Sequence, residues 1–386
     1  MLHFRFLSVL LLSSVLRLIG QLPAAAAADA VIVAPLPWQV VQRSGFDPRR
    51  AAADPASRGE ARLRVELTGE RLLAAGTRCE SRLVAVSMGP EPASALASGD
   101  SAWAPLPLEA VETGAHDRAA GSRVVPAGGW HRLEVRIHPA GGGPSAAAAV
   151  EPVGVGEVFL VAGQSYATNT NDERLSVTDG QRRVAALDVD TGKWRLADDP
   201  QPAPDRSDGG SIWPPVGDRL TAALDVPVGF VNVAVGATST RQWAPDGPLS
   251  ARLHEAGRRA GPFRAVLWQQ GESDVIERTS TDDYVARLQA IRAAAVEAWA
   301  FEPIWLCAFS THHPTVYRDP DGEGRIRAAI ERVSRLPGFG AGPDTDTLQG
   351  VDRGGPGSRR HFSPQGQRRA ATLWTDILLG RGLLGP

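Results

Sequence analysis

The sequence contains few of the residues that mark disulfide-rich or metal-binding proteins. Its 386 residues include only two cysteines, Cys79 and Cys307, which are too few for a disulfide framework or a cysteine-ligated metal cluster. Cys307 lies in the apolar stretch PIWLCAF and is interpreted as a small buried hydrophobe; the sequence does not decide whether the two cysteines pair. No His, Cys and Asp residues have metal-ligand spacing, so we expect no metal and no other cofactor.

The sequence also has no excess of charge of one sign. The formal net charge is −2, and no block of like charge occurs, so neither nucleic acid nor an anionic membrane is an expected partner. Hydrophobic residues make up 43% of the chain and charged residues 22%, which is typical of a globular protein. The length predicts two domains, and the oligomeric state stays unknown at this level.

No long apolar segment follows the N-terminus, but residues 1–28 have the layout of a secretory signal peptide. Arg5 precedes an apolar stretch from Phe6 to Ile19, and small residues follow up to Ala28, where cleavage is expected. Arg17 within the apolar stretch argues against a membrane-spanning helix, although an uncleaved anchor is the alternative. We therefore expect a secreted or periplasmic protein without a membrane segment after signal cleavage.

Residues 29–154 are predicted to form a β-sandwich-like accessory domain. Apolar Leu133, Val135 and Ile137 alternate with polar residues, which is the period of a half-buried strand. Glycine-rich turns separate several such segments, and no helical period is present. The sequence does not indicate what this domain binds.

Residues 155–386 are predicted to form an α/β domain with a parallel sheet covered on both faces. Strand-like runs such as EVFLVAG, VGFVNVAVG, FRAVLWQQG and PIWLCAFS alternate with helical segments, which is the pattern of such a sheet. Ligands bind these sheets at the carboxyl ends of the strands. Ser165, Gly236 and Gln270 all follow strand-like runs, so they are expected at one edge.

Four blocks in this domain carry a resemblance to a known family. VFLVAGQS, VGFVNVAVGATSTRQW, VLWQQGESD and HFSPQG resemble, in this order, the blocks of the SGNH hydrolases. More narrowly they resemble the sialate O-acetylesterase and acetylxylan esterase branch, carbohydrate esterase family six. The resemblance covers roughly residues 155–380 and implies a three-layer, flavodoxin-like α/β fold.

The resemblance assigns roles to four residues. Ser165 would be the nucleophile and His361 the base that takes its proton, as an attacking serine requires. The oxyanion would be held by the backbone N–H groups of Ser165 and Gly236 and by the side chain of Gln270. A turn residue, a helix brace and a buried structural amide are the alternative interpretations of Ser165, His361 and Gln270.

The sequence offers more than one carboxylate for the triad. Many SGNH enzymes have an aspartate three residues before the histidine, whereas this sequence has Ser358 there. Some acetylxylan esterases are thought to use the glutamate of W-x-Q-G-E, which is Glu272 here, and this residue is our prediction. Asp352 and Asp344 are the alternatives.

Further departures and contacts complete the hypothesis. Tyr166 replaces the asparagine that usually follows the nucleophile, and Ala237 replaces the second glycine of the second block, which narrows the φ freedom there. His312 and Trp243 are possible substrate contacts.

The predicted function is a secreted serine esterase that removes O-acetyl groups from carbohydrates through an acyl-enzyme. The alternative is a catalytically impaired secreted glycan-binding protein, and the acetylated sugar cannot be named from sequence.

Overall fold

The computed structural model describes residues 30–47, 50, 54–90, 102–111, 118–314, 317–354 and 360–380. The predicted signal peptide, residues 1–28, lies outside the described residues, and so does Ser358. Within the described ranges, no helix is both long and apolar enough to cross a membrane.

The first half of the described chain consists of strands. Their bounds are β1 Val31–Ala34, β2 Val40–Gln42, β3 Glu60–Thr68, β4 Arg78–Val86, β5 Ala104–Pro105, β6 Glu109–Ala110, β7 Arg118–Pro126, β8 Gly128–His138 and β9 Ala146–Gly163. Strands β1, β3, β7 and β6 form one antiparallel sheet. In the second sheet, β4 pairs with β5 and β8, and β8 pairs with β9.

The two sheets share one apolar core because their strands alternate inward and outward side chains. Leu63, Val65 and Leu67 of β3 are buried in the same cluster as Leu133 and Val135 of β8. Facing sheets with interdigitating inner side chains form a sandwich. Cys79 of this cluster and Cys307 are both buried free thiols, and burial raises the pKa of Cys79 to about 12.

Strand β9 runs through both parts of the molecule. Its first half pairs with β8, and its second half pairs in parallel with strands of the second half of the chain. The predicted boundary at residue 154 falls inside this strand, and the division into domains stays a prediction. Gly156 lies where the strand passes the Pro227 backbone, since a Cβ there would be 1.9 Å from Pro227 O.

The second half of the chain alternates strands and helices. The strands are β10 Val184–Asp188, β11 Lys193–Leu196, β12 Val228–Asn232, β13 Ala265–Gln269, β14 Ile304–Phe309 and β15 Phe339–Asp344. The helices are α1 Trp213–Leu224, α2 Thr240–Trp243, α3 Ser250–Ala260, α4 Glu272–Ile276, α5 Thr281–Trp299, α6 Pro320–Val333 and α7 Pro364–Gly380. The sheet order is β11-β10-β12-β9-β13-β14-β15, and β11 alone among these strands pairs antiparallel to its neighbour.

Helices cover both faces of this sheet. Phe159 and Val161 of β9 are buried in a cluster that includes Trp213 of α1 and Trp374 of α7. Val158 and Leu160 point the other way, into the cluster that holds the apolar faces of α3, α5 and α6. The predicted three-layer α/β fold is therefore confirmed. Strand order reverses around β9, and such a switch point is where ligands bind in doubly wound sheets.

Asp344, an alternative triad carboxylate, is the last residue of edge strand β15, which pairs with β14. Helix α6 begins at Pro320, because Asp319 accepts a hydrogen bond from Gly322 N (2.9 Å) as an N-cap and proline suits the first helical turn.

Candidate active site

Ser165 lies directly beyond the carboxyl end of β9. Gly163 has φ +131°, and a Cβ there would be 2.1 Å from Gln269 O of the neighbouring strand, so this exit from the sheet requires glycine. Gln164 N donates to Gln269 O at 2.9 Å, and Ser165 then opens a short 3-10 turn through Ala167. The half-buried serine is thus held at the sheet edge where the sequence places it.

The segment after Ser165 fixes its backbone. The Thr168 N–H, the Thr168 hydroxyl and the Thr170 hydroxyl donate to Ser165 O at 3.0, 2.9 and 2.6 Å. The Ser165 hydroxyl takes no part in these bonds. Its side chain can therefore be exchanged without loss of the turn.

Gly236, the predicted oxyanion donor after β12, is a close neighbour of Ser165. A Cβ on Gly236 would be 3.9 Å from Ser165 Cβ and 3.3 Å from Asp205 Oδ2. The Gly236 N–H donates to that Asp205 oxygen at 3.0 Å. The predicted donor is therefore beside Ser165, with its N–H bound to a carboxylate. The next residue, Ala237, has φ +58°, a left-handed conformation that favours glycine.

Asp205 was not identified from the sequence. Its other oxygen, Oδ1, accepts from Ser207 N at 3.0 Å and from Ser207 Oγ at 2.7 Å, and Ser207 Oγ in turn accepts from Asn169 N at 3.1 Å. The local sequence APDRSDGG carries only turn signals. Because the contact joins segments far apart in the chain, no local pattern could have revealed it.

We expect Asp205→Asn to raise kcat for ester hydrolysis about tenfold, because it removes a negative charge beside the position where the oxyanion would develop. Asparagine keeps the shape and one acceptor oxygen for Ser207. Steady-state kinetics at neutral pH measure the effect. A loss of activity in a variant that keeps its melting temperature would instead give Asp205 a direct part in the reaction.

Gln270 is fully buried and connects three segments of the site. Its Nε2 donates to Asp274 Oδ2 at 2.6 Å, to Thr238 O at 3.1 Å and to Gln164 Oε1 at 3.2 Å. Gln164 Oε1 also accepts from Ser273 N at 3.1 Å. The Gln270 amide therefore holds together the ends of β9 and β12 and the start of α4. Its role as an oxyanion donor stays a prediction, since these bonds engage both of its N–H groups.

The loop that carries His361 is attached to the residues after Ser165. Tyr166 Oη donates to Arg360 O at 2.5 Å, and its ring lies 5.4 Å from the His361 ring in an edge-on arrangement. Phe362 N donates to Asn171 Oδ1 at 3.1 Å. Tyr166, a departure from the family pattern, thus packs directly against the loop of the predicted base.

His361 has a neutral side chain with a free nitrogen. Its Nε2 is buried and has no hydrogen-bond partner in the described part of the chain. Burial, helped by Arg360 and Arg353, lowers the pKa of His361 to about 4, so the imidazole is unprotonated at neutral pH. No hydrogen bond joins it to Ser165 among the residues described; catalytic bonds of this kind often form only when substrate is bound.

The three candidate carboxylates have different partners. Asp344 is held by both terminal nitrogens of Arg327, at 2.8 and 2.6 Å. Asp352 pairs through Oδ2 with Arg369, and its buried Oδ1 has no partner within the described ranges.

Glu272 is the carboxylate that lies deepest. Its Oε1 accepts from Ser310 Oγ at 2.6 Å, and its Oε2 is buried without a partner among the described residues. Burial raises the pKa of Glu272 to about 8. None of the three carboxylates hydrogen-bonds to His361 in the described structure, and Glu272 and Asp352 keep one oxygen free for such a bond.

The structure does not support the predicted substrate contact of Trp243. Its side chain is 0% exposed, its Nε1 donates to Thr238 Oγ1 at 3.0 Å, and its ring packs edge-on against Trp268. His312 is half-buried, with Nδ1 3.3 Å from the Glu323 carboxylate.

His313, which like His312 follows β14 and was a possible substrate contact from sequence, is a buried polar residue of this region. It is 2% exposed, and neither ring nitrogen has a partner in the described ranges. Burial lowers its pKa to about 4. In the described ranges, no group of three or more acidic, His or Cys side chains could hold a metal ion.

Part of the chain that contains this site matches a known protein family. Residues 155–303 match the family described as "SASA: Carbohydrate esterase, sialic acid-specific acetylesterase". The matched segment includes Ser165, Gly236, Gln270 and Glu272, whereas His361 lies after it. No curated protein matches the chain.

Two solved structures are similar to this chain. A carbohydrate acetylesterase from Xanthomonas citri has 16% sequence identity and a TM-score of 0.52, over 90% of this chain and 74% of that chain. A protein from Arabidopsis thaliana has 17% identity and a TM-score of 0.47, over 58% of this chain and 98% of that chain. The first similarity establishes a shared fold.

Proposed function

We propose that the chain removes O-acetyl groups from carbohydrates through an acyl-enzyme on Ser165, because residues 155–303 match the sialic acid-specific acetylesterase family and the fold is shared with a carbohydrate acetylesterase. The main supporting observation is the surroundings of Ser165. The serine starts the turn that follows β9, Gly236 lies within contact distance, and the loop of His361 packs on the adjacent Tyr166.

The proposed reaction has two stages. Ser165 Oγ attacks the acetyl carbonyl carbon while His361 takes the hydroxyl proton, and the bond from that carbon to the sugar oxygen then breaks as His361 returns the proton to that oxygen. Water next attacks the acetyl-serine, giving its proton to His361. The bond to Ser165 Oγ breaks, acetate leaves and Ser165 regains the proton.

The oxyanion of each tetrahedral intermediate would be held by N–H donors at the sheet edge. The backbone N–H groups of Ser165 and Gly236 are proposed for this role, with the Gln270 amide as the side-chain donor. The Gly236 N–H must first leave Asp205, to which it is bound at 3.0 Å. One such donor is typically worth about 10²–10³ in kcat.

The direct test is acetate release from a panel of O-acetylated glycans, with p-nitrophenyl acetate as a general ester substrate. We expect turnover that a serine-directed phosphonate abolishes, with one phosphonate adduct at Ser165 detected by peptide mass spectrometry. Binding of acetylated glycans without acetate release would instead support the alternative of a glycan-binding protein. An adduct at a different serine would overturn the assignment of the nucleophile.

We propose Glu272 as the carboxylate that orients His361, because its Oε2 is free while Asp344 is fully engaged by Arg327. Glu272→Gln is expected to lower kcat/KM by up to about 10⁴-fold, as loss of a triad carboxylate does. With a pKa of about 8, the carboxyl becomes charged only as pH rises through that value. The wild-type rate should therefore rise between pH 7 and 9, and the variant should lack this rise.

Asp344→Asn is the matched control for this series, and it should leave the pH profile unchanged. Asp352→Asn tests the remaining candidate. If Asp352→Asn reduces kcat/KM more than Glu272→Gln in folded protein, the carboxylate is Asp352.

A further inference from the structure

A cavity of about 620 Å³ opens between the end of α4 and the start of α6. Its lining includes three arginines, Arg278, Arg318 and Arg325, together with apolar surface from Val275, Ile276 and Tyr317. Ile276 is 44% exposed and Tyr317 is 48% exposed. We call this cavity the arginine pocket.

The three arginines of this pocket make no ion pair in the described structure, unlike Arg327 or Arg183, each of which pairs with two aspartates. Arg325 Nε donates to Thr279 O at 3.0 Å, which fixes the guanidinium, and its Nη2 has no partner in the described ranges. Asp319 also lines the cavity, and its carboxylate is engaged in capping α6. Three guanidinium groups against one carboxylate leave a positive excess.

An unpaired set of guanidinium groups indicates an anionic ligand. Arginines that share a small volume repel each other, and their planar donors match carboxylate oxygens in a bidentate manner. The exposed faces of Tyr317 and Ile276 offer a surface on which a sugar ring can pack. The combination suits a sugar that carries an acidic group.

The arginine pocket lies at the same edge of the sheet as Ser165. Helix α4, which supplies Val275 and Ile276, begins two residues after Gln270. The Tyr317 ring packs edge-on against His313 at 5.1 Å, and the carbonyl oxygen of the preceding residue, His312, lies 3.5 Å from Tyr166 Oη. Tyr317 and the segment of His312 and His313 therefore connect the pocket to the residue that follows Ser165.

We infer that the arginine pocket binds the carboxylate of an acidic sugar unit in the acetylated glycan. This inference rests on the proposed function, since it assigns part of the same substrate to a second site. Arg278 and Arg318, which are exposed and unpaired, bind the carboxylate, while Arg325 is held in place by Thr279. The pocket contributes to substrate binding and takes no part in ester chemistry.

The test compares two substrates that differ in one group: an O-acetylated acidic sugar and its carboxamide. The double variant Arg278→Ala/Arg318→Ala is expected to raise KM for the acidic substrate about ten- to a hundredfold, because it removes charge-assisted hydrogen bonds. The KM for the carboxamide and the kcat values should stay as in wild type. Arg219→Ala, at an exposed arginine on α1, is the matched control and should change neither substrate.

Equal KM values for the two substrates in wild type, or equal effects of the double variant on both, would overturn the inference. Inorganic sulfate tests whether the pocket is only a site for free anions. If sulfate inhibits wild type but not the double variant, while wild type does not prefer the acidic substrate to its carboxamide, a role of the pocket in substrate binding is contradicted. Calorimetric titration of wild type with the deacetylated acidic sugar measures binding to the pocket independently of turnover. Arginine-dependent binding without acetate release would keep the pocket and refute the esterase.

Discussion

Ser165→Ala is expected to lower kcat for acetate release on the order of 10⁴–10⁶-fold, the loss that follows removal of a catalytic serine. The alanine lacks the oxygen that is proposed to form the acyl-enzyme, while the proposed oxyanion donors and the substrate contacts remain. The fold should be unaffected, because the bonds that fix residue 165 use its carbonyl oxygen and none uses the hydroxyl. KM for acetylated substrates should therefore change little.

Acetate release and thermal unfolding measured on the same preparation check this prediction. Ser334→Ala is a suitable control, since that exposed hydroxyl bonds only to the carbonyl of Glu331. A Ser165→Ala protein that retains more than about a tenth of wild-type turnover would exclude the covalent route through this residue.

His361→Gln is expected to have an effect of similar size, and the double variant Ser165→Ala/His361→Gln should be no worse than either single one. A nucleophile and its base act as a unit, so their losses do not add. The His361 Nε2 has no hydrogen-bond partner in the described residues, and the bonds that attach its loop to Tyr166 and Asn171 use the backbone of Arg360 and Phe362, so the substitution leaves those bonds intact. Additive losses would show that the two residues act independently.

The pH profile gives a second readout for His361. A base must be unprotonated, and burial lowers the pKa of His361 to about 4. In the Glu272→Gln variant, where residue 272 no longer titrates, kcat/KM should therefore fall as pH drops through about 4 and should be insensitive to pH between about 5 and 7. A fall centred near pH 6.5, the ordinary value for histidine, would mean that the base is a solvated group. This acidic limb is distinct from the rise near pH 8 assigned to Glu272.

Sequence reasoning located the parts of the site that are set by local pattern. A strand ending in Gly163 places Ser165 at a sheet edge whatever the remaining fold, and the same argument holds for Gly236 after β12 and Gln270 after β13. Helix α7 was likewise predictable, because serine is a common N-cap residue and proline, here Pro364, suits the first helical turn. In the structure Ser363 Oγ accepts a hydrogen bond from Gly366 N.

The parts that depend on contacts between distant segments could not be predicted. Asp205 reaches Gly236 across 31 residues of chain, and a turn sequence does not indicate what the turn covers. Trp243 followed a site block, so the sequence left both a core position and a substrate contact open; its burial against Trp268 is decided by packing. The hydrogen bonds of Gln270 are a third case, because their acceptors come from three separate segments.

Strand β9 has one further consequence for how this protein can be divided. A shortened chain that started at Val155 would retain Ser165, yet it would lose the β8 partner and would leave β9 only half of its 18 residues. Trp130, 1% exposed in the whole protein, would be absent from the cluster that also contains Val158 and Leu160. Strand β9 therefore belongs to the sheets of both halves of the chain. Separate expression of the two halves would divide this strand and remove its pairing with β8.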